Sequence, residues 1–179
     1  MAERDPWPVV ESATEYETGW YAGGYDRVEQ PDGTEKAYYW ADLPDAVVVL
    51  ALDGDEVVFV EQYRPAIREH CLELVAGVVE DGEDYETAAR RELREEAGLR
   101  ADDVALLQTF ACSTGVLRHE RAIVVAEGLT ETERDLDDNE FLTVTRVPAD
   151  DALARARERP ANDATIEGVL LARADGYLD

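Results

Sequence analysis

The chain has 179 residues, 45% of them hydrophobic and 33% charged, enough for one globular domain with a real core and a small appendage. Asp and Glu number 42 against 17 Lys and Arg, a net charge of -25, which excludes nucleic acid and anionic membranes as natural partners. No run of 18 apolar residues and no basic-then-apolar N-terminus occurs, so membrane spanning and Sec-type export are not expected and a cytoplasmic location is.

Taken in chain order, the first dozen residues, through "DPWPVV", read as a loose lead-in. From Thr18 to Trp40, two aromatic-rich strands flank a Pro-Asp-Gly turn. "AVVVLAL" (46–52) and "EVVFVEQY" (56–63) form a second hairpin across Asp53-Gly54-Asp55. Further strands are predicted at 71–75, 104–110, 121–129 and 141–147, and helices at 84–97, 149–159 and 163–175, the last capped by Asn162 or Asp163. Strands outnumber helices and alternate with them irregularly, which predicts a mixed α/β (α+β) sandwich rather than a doubly wound sheet. Residues 1–45 form an N-terminal β-hairpin appendage and 46–179 the main domain. An exposed aromatic hairpin is a liability unless covered, so the expected assembly is a homodimer through that segment.

The helix at 84–97 poses a physical problem. Glu92, Glu95 and Glu96 crowd its last turns, where the dipole is negative, and their i, i+3, i+4 spacing turns all three to one side. Ala89, Leu93 and Ala97 supply an opposite face able to press on a sheet, leaving the acids facing outward. Two readings are open. One is a solvated acidic face laced by Arg90, Arg91 and Arg94; the other is a hard-cation site, because a divalent ion cancels both the repulsion and the dipole penalty. In so acidic a chain a cluster of acids is background.

Spacing adds what composition does not. In "GVVEDGEDYETAARRELREEAGL", Gly77, Glu83, Arg91, Glu92, Leu93, Glu95, Glu96, Gly98 and Leu99 stand at every fixed position of the Nudix hydrolase signature, nine residues over 23. The chain therefore resembles that family. The resemblance implies a Nudix-type α/β/α sandwich around a mixed sheet, and hydrolysis of a diphosphate linked to another moiety with Mg²⁺ or Mn²⁺. It also implies Glu92 and Glu96 as principal metal ligands, Glu95 as a further ligand or orienting acid, the Ala76 carbonyl as a ligand, and Arg91 as the residue that positions the glutamates with Glu83.

Outside the box, "VEQYRP" (60–65), "LELVAG" (72–77) and the ending from "DDNEF" onward resemble the ADP-ribose pyrophosphatase branch. That implies a phosphate contact for Arg64, and places near the metals for Glu73 and Glu120. It also implies a catalytic base from a late acidic loop: Glu140, with Glu131, Glu133 and Asp138 as rivals. Ser113-Thr114-Gly115 stands where the branch usually has Ser-Pro-Gly, and Val75 where proline is usual; both leave pyrophosphatase chemistry intact and bear on the substrate. The expected substrate is a small nucleotide, ADP-ribose or a related nucleoside diphosphate sugar. A dinucleoside polyphosphate, a CoA derivative or an oxidised nucleotide is the alternative, as is a Nudix domain that binds nucleotide without cleaving it.

The remaining chemistry-bearing residues read as structural first. His70 and His119 are isolated, with a phosphate contact for His119 beside Arg118 as the sharper alternative. Cys71 and Cys112 are too few and wrongly spaced for zinc or a disulfide framework. The aromatics of 20–40 are packing residues, with adenine stacking as the second reading, and Arg27 is a solvated charge before it is a ribose contact. One lysine (Lys36) among 17 basic residues, on so acidic a chain, points to adaptation to high salt.

Overall fold

The computed structural model describes residues 5–136 and 140–178. The chain begins with β1 (Val9–Glu17), β2 (Ala22–Glu29), β3 (Glu35–Asp42), β4 (Ala46–Asp53) and β5 (Glu56–Arg64). It continues through β6 (Glu69–Glu73), β7 (Val75–Val78), α1 (Tyr85–Ala97), β8 (Leu99–Ala111) and β9 (Leu117–Arg118). It closes with β10 (Glu120–Glu131), β11 (Leu142–Pro148), α2 (Ala149–Ala156) and α3 (Asp163–Ala174). Two compact units divide these elements: the described residues up to Asp45 with Ala111–Glu120, and those of Ala46–Phe110 with the chain from Arg121 onward.

The smaller unit is a four-stranded sheet in the order β1-β2-β3-β9. The hairpin expected over 18–40 is its centre, with Tyr25 opposite Tyr39. The expected loose lead-in is instead strand β1, antiparallel to β2. Its sequence, "VVESATEYE", has no apolar alternation because almost none of it is buried; the backbone ladder and a 2.7 Å bond from Ser12 Oγ to Asp26 Oδ1 hold it. Trp20 and Tyr39 stay largely exposed.

The larger unit carries a seven-stranded sheet, β11-β5-β4-β10-β8, with β6 added on β5 and β7 on β4. β4 runs parallel to β10 and antiparallel to β5 and β7, so the sheet is mixed. Its central strands are apolar on both faces because both are covered. Val47, Val49 and Ala51 pack with Ala88, Ala89 and Leu93 of α1, whereas Val48, Leu50 and Phe59 pack with Ala152 of α2 and Val169 of α3. This is the α/β/α sandwich with α1 on one side and α2 and α3 on the other. Each fully buried Val, Leu or Phe side chain among these contributes about 1.5–3 kcal/mol relative to exposure.

One local departure shapes the site. The single strand expected over 71–75 breaks at Leu74, so that β6 pairs with β5 and β7 pairs with β4. At the break the Leu74 N–H donates to Thr165 Oγ1 of α3 at 3.1 Å, a buried side-chain substitute for the interrupted ladder. Among the described residues no helix is long and apolar enough to cross a membrane.

Candidate active site

Helix α1 starts where Asp84 accepts from the Thr87 N–H at 2.8 Å, and stops at Gly98, whose φ of 66° is the left-handed conformation that glycine adopts without a Cβ penalty. Of the face expected from spacing, Ala89 and Leu93 are buried against the sheet while Ala97 is half-buried, and Ala88 joins them. The acids do not all face outward. Glu92 is 8% exposed and Glu96 3%, and only Glu95 keeps an open edge. The reason lies on β7. The Glu92 carboxylate occupies the space that a Cβ on Gly77 would fill, and the Ala76 N–H donates to Glu96 Oε2 at 3.2 Å. Glycine and a free backbone N–H thus admit two carboxylates where a helix normally presents apolar groups.

Arg91 organises the open side. Its Nε and Nη2 take the two oxygens of Glu83 at 3.0 Å each, Nη2 also donates to the Val78 carbonyl at 2.7 Å, and Nη1 bridges Glu92 Oε1 (2.7 Å) and Glu95 Oε2 (3.1 Å). The fork geometry needs arginine; a lysine ammonium cannot serve three carboxylates and a carbonyl in one plane. Glu83 is held below the usual carboxylate range chiefly by its bond to Arg91.

Glu96 behaves oppositely. Burial pushes its pKa up to about 8, against the Ala76 N–H; Glu92 and Glu140 push in the same direction, and Arg64 relieves it. Glu92 is also raised, again chiefly by burial, with Arg91 opposing and Glu95 and Glu140 adding to the rise. Glu96 thus feels Ala76, Glu92, Glu140 and Arg64, and Glu92 feels Arg91, Glu95 and Glu140. Of the rival acids, Glu131 and Glu133 are exposed, and Asp138 lies outside the described residues.

Among the described residues no three acids, histidines or cysteines stand together as a finished ligand cage, and Arg91 bridges Glu92 and Glu95. The donor chemistry nevertheless fits a hard divalent cation. Two buried carboxylates, Glu92 and Glu96, lie one helical turn apart; burial chiefly, and neighbouring carboxylates in addition, raise both pKa values, and oxygen-preferring Mg²⁺ or Mn²⁺ stabilises the charged forms.

Arg64, at the end of β5, donates from Nε (2.8 Å) and Nη2 (2.6 Å) to Glu73 Oε2. Glu73 is 4% exposed and also receives Gln62 Nε2 at 3.0 Å and Asn162 Nδ2 at 2.7 Å. Sequence reasoning missed Gln62 and the second use of Asn162. A helix cap is legible as a cap, but its spare amide N–H₂ reaches a residue 89 positions away. Glu120 opens β10 within the smaller unit, where its N–H donates to Asp45 Oδ1 at 2.9 Å. In that unit His119 Nδ1 shares a hydrogen bond with the Pro44 carbonyl at 2.7 Å, Arg27 pairs with Glu11, and Arg118 pairs with Asp26 while stacking on Trp40. His70 packs on Tyr63, and Cys71 is buried.

A buried acid pair on a helix whose arginine forks across the neighbouring carboxylates, set on an α/β/α sandwich, defines the class. The chain belongs to the Nudix family: the profile of the NUDIX domain matches residues 42–168. It is a Nudix hydrolase. It is 35% identical over 140 residues to the ADP-ribose pyrophosphatase of Bacillus subtilis (strain 168), covering 76% of each chain. It is equally 35% identical over 141 residues to the methanol dehydrogenase activator of Bacillus methanolicus, covering 77% of this chain and 76% of that one. The ADP-sugar pyrophosphatase of Mus musculus is 32% identical over 123 residues, 64% of this chain and 56% of the mouse protein. In fold, the crystal structure of an ADP compounds hydrolase superposes with a TM-score of 0.88 at 20% identity, over 99% of this chain and 100% of that one.

Proposed function

We propose that this chain hydrolyses the pyrophosphate bond of ADP-ribose, or of a related nucleoside diphosphate sugar, to AMP and a sugar phosphate. The observation that carries the reading is the pair of buried, cation-seeking carboxylates, Glu92 and Glu96, lying within the electrostatic reach of Arg64 and Glu140. Relatives named for ADP-ribose and ADP-sugar cleavage over most of this chain support the substrate class.

Glu92, Glu96, Glu95 and the Ala76 carbonyl would hold Mg²⁺ or Mn²⁺. When bound, the metal neutralises diphosphate oxygens and lowers the pKa of a water. Arg91 holds the carboxylates in register, and Arg64 offers its outer nitrogen edge to a phosphate oxygen. Glu140 takes the proton from the attacking water as the new P–O bond forms and the bridging P–O bond breaks, the bridging oxygen leaving on the other phosphate. Glu73 serves substrate binding through Arg64. The enzyme works in the cytoplasm as a homodimer through the smaller unit, whose exposed Trp20 and Tyr39 are the covered surface.

Release of AMP and ribose 5-phosphate, measured against a panel of nucleotide-linked diphosphates with and without Mg²⁺, tests the proposal. Silence on ADP-ribose with turnover of a dinucleoside polyphosphate, a CoA derivative or an oxidised nucleotide replaces the substrate. Glu96→Gln separates a catalyst, which loses most of its turnover, from a binding module, which has none. The likeness to an activator protein favours a second reading, in which hydrolysis on this site serves to regulate another enzyme.

A further inference from the structure

Arg64 has two acids to choose between. In the β5–β6 register its direct partner is Glu69, while Glu73 lies opposite Val60, four residues further along the strand. Direct cross-strand pairs are the shorter reach. Arg64 nevertheless folds back and spends Nε and Nη2 on Glu73. That choice leaves 42% of its side chain open and keeps its charge acting on Glu96.

The choice is made from α3. Glu73 is a buried carboxylate, and such a group keeps one orientation only while both oxygens find donors. Oε2 is served from β5 by Gln62 and Arg64; Oε1 is served by Asn162 Nδ2 at 2.7 Å. Asn162 is itself fixed, because its Oδ1 caps α3 by accepting the Thr165 N–H at 3.0 Å. The two contacts demand an acceptor on one side and a donor on the other, so the amide has one orientation. Thr165, three residues on, holds the Leu74 N–H next to Glu73. The first turn of α3 thus grips both the side chain and the following backbone of the residue that aims Arg64.

We propose that Asn162 is a positioning residue for phosphate recognition: acting through Glu73, it turns Arg64 away from Glu69 and toward the substrate diphosphate. The inference rests on the reading of the site as a diphosphate hydrolase, and makes Glu73 an aiming group rather than a substrate contact. Without the Asn162 donor, Glu73 Oε1 is orphaned in the interior, and Arg64 is free to settle on Glu69.

Asn162→Ser isolates this role. Serine caps a helix as well as asparagine does, but its one hydroxyl is then used and reaches no further. With ADP-ribose and Mg²⁺, the KM of Asn162→Ser rises about tenfold, the loss expected for one charge-assisted hydrogen bond, while kcat stays within about twofold; the thermal midpoint falls by a few degrees, as one unpaired buried carboxylate oxygen requires. Adding Asn162→Ser to Arg64→Ala produces no further rise, since both act on one contact. A second readout needs no turnover: in ¹⁵N-edited NMR the Arg64 Nε–Hε resonance shifts and exchanges faster with water in Asn162→Ser. A wild-type KM together with an unmoved Arg64 resonance overturns the proposal. Absence of activity in the wild-type protein overturns the diphosphate reading instead, and the Arg64 resonance then decides the positioning: shifted supports it, unmoved refutes it.

Discussion

Gly77 and Glu92 are fitted to each other: the carboxylate of the helix residue fills the space that any side chain on the strand residue would occupy. Gly77→Ala must therefore push Glu92 out of place or push α1 off β7. Overpacking of this kind costs about 1–3 kcal/mol, and a displacement near 1 Å of a catalytic group costs about 10²-fold in rate. The expected outcome is a folded protein with a lowered thermal midpoint and activity down by about two orders of magnitude. A variant with wild-type turnover would remove Glu92 from the reacting site.

Arg91 is the counter-charge that the metal-free protein depends on. Its side chain is 20% exposed, and those of its partners Glu83 and Glu92 are 16% and 10% exposed, so these pairs are largely out of water. Removing one member of such a set leaves uncompensated buried charge, at a cost of about 3–5 kcal/mol. In urea titrations with chelator, Arg91→Ala is expected to lose stability on that scale. Arg91→Lys recovers only a fraction, because an ammonium cannot grip both Glu83 oxygens and bridge Glu92 to Glu95. Saturating Mn²⁺ should narrow the gap for Arg91→Ala, since the ion supplies the missing positive charge. An Arg91→Ala protein as stable as wild type in chelator contradicts this account.

These two residues also show how far the sequence carries. The limits of α1, its glycine stop at Gly98 and most of its apolar stripe follow from local chemistry, and the structure repeats them, adding Asp84 as the N-cap. So do the two-sided apolar strands β4, β5 and β10. The direction of the acids does not. A helical wheel turns Glu92 and Glu96 outward because carboxylates are costly to bury, and only the facing Gly77 and the Ala76 N–H reverse that preference. β1 escapes notice for a related reason: its stability comes from a ladder with β2, and its side chains carry no core pattern. The Asn162–Glu73 contact joins residues far apart in sequence, and nothing local announces it.

Asp26 sets an acid limit for the smaller unit. Its carboxylate accepts Ser12 Oγ at 2.7 Å and Trp40 Nε1 at 3.2 Å, and pairs with Arg118. The Ser12 bond is the first cause that holds it below the ordinary value of 3.8, with Trp40 and Arg118 adding to it against the cost of desolvation. A folded pKa below the unfolded one means that the unfolded chain binds the proton more readily. The stabilisation is accordingly present above pH 3.8 and is lost as pH falls through the folded value. In acid titrations followed by tryptophan fluorescence, Asp26→Asn should be less stable than wild type near neutrality, and the difference should shrink as pH falls below 3.8. A difference that stays constant with pH would show that the charge is not what matters.

Salt acts on this protein in two opposing ways, and the numbers decide between them. Screening weakens ion pairs such as Arg146–Asp53 and Arg121–Glu167, which lowers stability. It also weakens repulsion among carboxylates. The 42 acids outnumber the 17 basic residues by 25 (42 minus 17), an excess of negative charge that no pairing removes. Surface ion pairs are worth about 0–1 kcal/mol each, so their loss is bounded, whereas the unpaired excess repels across the whole surface at low salt. The screening length falls from about 10 Å at 0.1 M to about 3 Å at 1 M, which cuts repulsion between neighbouring acids while leaving buried pairs intact. The thermal midpoint is therefore expected to rise steadily with KCl from about 0.1 M to above 1 M, where a near-neutral Nudix protein would change little. Replacing exposed acids such as Glu131 and Glu133 by Gln should raise the low-salt midpoint and flatten the curve. A flat or falling midpoint in the wild-type protein would mean that the unpaired acids are too dispersed to repel, and would end the case for salt adaptation.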